Sequence, residues 1–199
     1  MSRKVFDVLT STGALVLVVV LLVAGGLLTW GHSFVNSNVH SQLARQEIVF
    51  PSQAAFAHPK AGTEITSAMI PSVSRYAGQQ LLTGQQAEAF ADHFIAIHLS
   101  EMPYGGVYSK ISAAAITSPT NTSLKALEQT SFQGTTLRGL LLEAYAFSTI
   151  GLIMLWGAIA SFVLAAVMLL LVGLGFQHAR STAPEERMLA PEVKAVSVA

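Results

Sequence analysis

The sequence predicts an all-α membrane protein: a two-helix transmembrane hairpin carrying a small helical domain outside the bilayer. Two uncharged apolar runs predict it, together with scarce period-2 alternation and a low charge content. Only 11% of the 199 residues are charged and 52% are hydrophobic, against roughly 25% charged in soluble domains. Mean hydropathy is +0.54.

The first run, GALVLVVVLLVAGGLLTW, covers 13–30, and the second, AYAFSTIGLIMLWGAIASFVLAAVMLLLVGLGFQ, covers 144–177. A bilayer core takes about 20 apolar residues in a helix, so each run is long enough to span. The second exceeds one crossing and is expected to tilt or to continue beyond the bilayer. The first begins after Arg3 and Lys4 as a signal peptide would, but it exits through Thr29-Trp30-Gly31-His32-Ser33. No small-x-small cleavage pattern follows closely, and an aromatic at the exit reads as an interfacial anchor.

The flanks set the expected orientation. Arg3 and Lys4 precede the first span, and Arg180, Arg187 and Lys194 follow the second. Basic flanks are retained inside, which places segment 1–12 and the tail 178–199 in the cytoplasm and segment 31–143 outside. The chain has no cysteine. Disulfides, thiolate metal sites and a catalytic thiol are therefore excluded. A net charge of zero without a Lys/Arg cluster argues against a nucleic-acid partner.

Each outer element has its own signal. Val35, Val39 and Leu43 recur at helical spacing, so the first helix should run past the bilayer until Pro51. Residues 51–72 carry three prolines and read as an irregular loop. A short helix is expected over SVSRYAGQQLL, ending at Gly84. Thr83 with Gln86 forms a capping-box pattern that starts the next helix, and Pro103 stops it. YGG is a turn, and YSKISAAAI is a helix closed by Pro119. Asn121 caps a further helix, which Gly134 should interrupt before TTLRGLLLEAY enters the second span. The Ala-, Pro- and Glu-bearing tail is expected to be disordered.

The segments LARQEIVFP, YAGQQLLTGQQAEAFADHFIAIHL, YSKISAAA and FQGTTLRGLLLEAY resemble an actinobacterial family of two-span membrane proteins of unknown function. The resemblance implies the same topology and a helical extracytoplasmic domain, and it assigns no chemistry. Val107 and Thr135 stand where the resemblance leads one to expect a polar residue and a glutamate.

The stretch EAFADHFIAIHLSEMP (88–103) holds the densest titratable chemistry. His98 and Glu101, at i and i+3, are the candidate metal pair, with His93 as a third. On a regular helix His93 and His98 point about 140° apart, and the i, i+4 spacing of helical zinc sites is absent. Two apolar ridges, Phe90/Phe94/Ile97 and Ile95/Leu99, favour a packing helix with histidines at its seams. His32, His40, His58 and His178 are scattered. No nucleophile elbow, phosphate loop or dinucleotide fingerprint occurs, so no catalytic residue and no cofactor is expected.

The spans hold no Asp, Glu, Lys, Arg or His, which argues against a transport pathway. Gly157, Ser161 and Ala165 form a small-residue ridge suited to helix–helix contact. The expected partners are the lipid bilayer and either another membrane protein or a second copy, with no nucleic acid. The functional expectation is a non-enzymatic accessory or scaffold subunit. The alternatives are a ligand-sensing outer module and a His/carboxylate metal-binding protein.

Overall fold

The computed structural model describes residues 3–59 and 65–181. The expected disorder of the tail falls mainly on 182–199, outside the described residues. The described chain is helical, with no strand, and two of its helices are long and apolar enough to cross a membrane. They are α1 (Arg3–Ala44), 42 residues long, and α7 (Thr122–Ser181), 60 residues long. Between them lie α2 (Gln53–Ala57), α3 (Ile70–Val73), α4 (Gly84–Phe90), α5 (Ala96–Glu101) and α6 (Tyr108–Thr117).

Two compact units are present, one made of residues 1–30 with 154–199 and one of residues 31–153. In the first, α1 and α7 run antiparallel. A Cβ on Gly175 would come 3.5 Å from the Cβ of Ser11, and one on Gly157 would come 3.2 Å from Leu28 Cδ1. Among the protected positions on α1, Ser11, Ala14, Val18, Leu21, Gly25 and Leu28 follow alternating steps of three and four. On the part of α7 in this unit the most buried residues are Ala158, Ala165, Val172 and Ala179, each seven after the last. A seven-residue repeat is the mark of helices wound into a left-handed coiled pair. The faces turned away from this seam are apolar and exposed, among them Val16, Val20, Val23, Leu27, Val163, Leu170 and Leu174.

The second unit has a conventional core. Phe50, Met69, Val73, Leu81, Ala87 and Ala91 are buried against Val39 and Leu43 of α1 and Leu141 of α7. α1 ends at Ala44, seven residues before Pro51, and not at the proline. Gln80 donates its side-chain amide to the Ala44 carbonyl at 3.0 Å, closing the helix end. The chain then turns through Glu47 in the left-handed region (φ 52°). Val49 next forms an isolated antiparallel bridge with Gln80, with Phe50 N–H donating to the Gln79 carbonyl and Leu81 N–H to the Ile48 carbonyl. This bridge replaces the helix expected through Gly84: helical structure stops at Tyr76, and Gly78 (φ 68°) turns the chain.

The capping box is present as the sequence indicates. Thr83 Oγ1 accepts from Gln86 N–H at 3.2 Å, and Gln86 Oε1 accepts from Thr83 N–H at 3.0 Å. Gln86 also donates to Gln79 at 3.0 Å, so this buried amide is satisfied on both sides. The irregular loop contains the short helix α2, capped by Ser52.

Gly134 does not interrupt α7. A Cβ there would meet Leu99 Cδ2 at 2.8 Å. The glycine is a packing site that lets Leu99 lie against the helix, and the contact offsets the cost of about 1 kcal/mol for glycine within a helix.

Candidate functional site

The segment 88–103 is not one regular helix. α4 passes into a π-helical turn over Ala91–Ile95 before α5 begins, so the angles expected from uniform α geometry do not hold through it. Such a turn shifts the helix face by one inserted residue, and π-turns are frequent at functional positions. Here it presents Phe90, Phe94 and His98 as a ring series. Phe90 and Phe94 are stacked at 4.6 Å, and His98 sits edge-on to Phe94 at 4.6 Å. Phe50 packs edge-on to Phe90 at 5.4 Å and against Tyr76 at 5.2 Å.

His93 and His98 are partly buried, and Glu101 is exposed at the end of α5. Among the described residues no three His, Asp or Glu side chains gather where a metal could be held. The carboxylate of this stretch with a defined partner is Asp92. Arg138 Nη2 donates to Asp92 Oδ1 at 2.6 Å, tying the π-turn to α7, while Arg138 Nε is buried without a hydrogen bond. Both side chains are more than a third exposed (39% and 35%), so solvent screens the pair. Asp92→Asn is therefore expected to lower stability by less than ~1 kcal/mol, measured by thermal unfolding in detergent. A larger loss would show that the pair anchors α7.

After α5 comes the feature that sequence reasoning read only as a turn. Tyr104 (φ 60°), Gly105 (φ 65°) and Gly106 (φ 64°) are three successive left-handed residues. An L-residue in this region is uncommon and marks a conformation imposed by its surroundings. The surroundings are visible. Buried Ser131 of α7 donates to the Gly106 carbonyl at 2.8 Å, and Gly106 lies against the Leu99 backbone. The turn leaves Tyr104 exposed, and Val107, Tyr108 and Phe132 are exposed as well. All four are between 39% and 50% accessible, with Tyr108 and Phe132 rings 5.6 Å apart. The signal for this patch was the run PYGGVY itself: two glycines behind an aromatic, then an aromatic at a helix start.

The small-residue ridge of the second span is only partly at the seam. Ala165 is buried, whereas Gly157 and Ser161 flank it, and Ser161 Oγ donates back to the Gly157 carbonyl at 2.8 Å. In the other unit, a Cβ on Gly151 would lie 3.3 Å from Val35. His32, read from sequence merely as a residue at the membrane exit, donates from Nδ1 to the Gly151 carbonyl at 2.8 Å. Close packing and a cross-helix hydrogen bond thus occur at the same glycine. No protein-family model matches the chain, and neither curated proteins nor solved structures gave a match.

Proposed function

We propose that the chain is a non-enzymatic, two-span membrane subunit whose outer helical unit docks a partner through the Tyr104–Tyr108–Phe132 surface. One observation carries the membrane reading. The most apolar eighteen-residue windows of α1 and α7 are only 17% and 11% buried within the protein. A core helix of a soluble protein would bury such a window, and water would penalise its exposure. Lipid covers it at no cost. Trp30 and Trp156, both exposed and in the same unit, supply the amphipathic rings that favour the interface.

The docking reading rests on the strained turn. A backbone conformation that costs free energy is retained here with its side chains held outward, and aromatic residues of this kind dominate protein interfaces. Purification in gentle detergent followed by mass spectrometry tests it. A stoichiometric partner is expected with the native chain, with recovery reduced at least tenfold in the Tyr108→Ser/Phe132→Ser variant. Equal recovery from both would remove the patch from the interface.

Topology follows from the basic flanks, with both termini cytoplasmic and the unit between the spans outside. In this cysteine-free chain, Ser109→Cys should react with an impermeant thiol reagent on intact cells, and Ser181→Cys should not. The opposite pattern would invert the orientation.

A further inference from the structure

Within the outer unit, residues 34–46 (the end of α1 and the turn after it) and α7 residues 137–147 line a groove of about 430 Å³. Its floor is the apolar edge Val35, Val39 and Leu43. One wall is Leu137, Leu140, Ala144 and Phe147; the opposite rim is the amide stripe Asn38, Gln42 and Gln46. We infer that this groove holds one acyl chain of a bilayer lipid, drawn up from the membrane along α7.

Dimensions select the occupant. From Phe34 to the end of α1 at Ala44 the groove follows ten helical steps, about 15 Å at 1.5 Å per residue. Spread over that length, its volume gives a channel narrower than a helix. A helix, about 10–12 Å wide, does not fit such a channel. An extended peptide is narrow enough, since strands pair at about 4.7–4.9 Å. It would, however, bring a backbone donor and acceptor with nearly every residue, and along the α7 wall only the Glu143 carboxylate could meet any of them. A hydrocarbon chain is equally narrow and asks for no polar partner.

Continuity selects the source. Phe34 and Phe147 line the groove at one end and are exposed. Beyond Phe147 on α7, still in the same unit, Ile150, Leu152 and Ile153 are exposed as well. This apolar strip is the membrane-proximal end of the outer unit on the topology proposed above. A chain can leave the bilayer along it without crossing a polar barrier. At the far end the Gln46 amide lines the groove and can meet a polar terminus.

The test uses the full chain in phosphatidylcholine vesicles containing a small fraction of phospholipid with a photoactivatable diazirine at the end of one tail. After irradiation, label is expected on peptides covering 34–46 and 137–147 as well as on the spans. Gln42→Trp, at an exposed rim position, fills the groove and should reduce groove labelling at least fivefold while span labelling stays constant. Leu140→Trp, on the other rim, serves as an independent second variant. Label confined to the spans, groove label unchanged in both tryptophan variants, or a groove-to-groove crosslink between two copies would overturn the inference. Label missing from the spans too would instead overturn the membrane reading on which it rests.

Discussion

Gly106→Ala should destabilise the outer unit by about 2–5 kcal/mol, the sum of two separate penalties. An L-residue at φ 64° costs about 1–2 kcal/mol from the clash of its Cβ with backbone. The new Cβ would also collide with the Leu99 carbonyl oxygen and sit 2.6 Å from its carbon. These are main-chain atoms that no rotamer change can move, and overpacking of this kind costs a further ~1–3 kcal/mol. Displacing the turn also strips buried Ser131 of its acceptor, leaving an unpaired hydroxyl.

Gly105→Ala is the control. Its φ is 65°, yet nothing lies within 4 Å of a Cβ added there, so it should cost about 1–2 kcal/mol, from the dihedral alone. Thermal unfolding of the two variants separates the terms. Tryptic cleavage at Lys110, in the helix that follows the turn, should accelerate only in Gly106→Ala. Identical melting of both variants would mean that Leu99 yields and the turn is not pinned. Partner recovery should fall with Gly106→Ala as well, because the same turn holds Tyr104 outward.

Local chemistry was readable wherever a side chain bonds to nearby backbone. Thr83 and Gln86 announce a helix start whatever surrounds them, and the observed bonds are those of the box. Pro103 likewise fixes the end of α5 at Glu101. The two long apolar runs were readable because length and hydropathy alone decide them. Features set by distant contacts were not.

Gly134 looks like a helix break until Leu99, thirty-five positions away in the sequence, is seen against it. The π-turn at Ala91–Ile95 inserts a residue into a pattern that still satisfies ordinary helical spacing. The titratable groups of 88–103 drew attention by type, but their surroundings are rings and an exposed end. The seam between the long helices lay in between. Its period of seven is present in the sequence at Ala158, Ala165, Val172 and Ala179. Small residues are so frequent in apolar helices that a four-residue ridge through Gly157 and Ser161 fits equally well until the partner helix is placed.

That seam yields the second large effect, Ala165→Leu. Apolar helices in lipid gain little from hydrophobic contact with one another, so close approach at small residues must hold them. Ala165 is only 2% exposed, and three added carbons there must push the helices apart or strain them, at a cost of about 1–3 kcal/mol. Leucine keeps the span apolar, so insertion should be normal. Separation can be read from a disulfide. Ser11 Cβ and a Cβ on Gly175 would lie 3.5 Å apart, at the short end of the roughly 3.5–4.5 Å that disulfides require. The Ser11→Cys/Gly175→Cys protein should therefore crosslink α1 to α7 under mild oxidation. Adding Ala165→Leu should slow crosslinking about tenfold, since a tenfold change corresponds to about 1.4 kcal/mol. Ser161→Leu, at a partly buried flank where the hydroxyl only returns to its own helix, should slow it less. Val163→Leu, 57% exposed, should leave it unchanged. If Ser161→Leu instead proved the more disruptive of the two, the four-residue ridge would be the true contact line and the seven-residue seam would have to be abandoned.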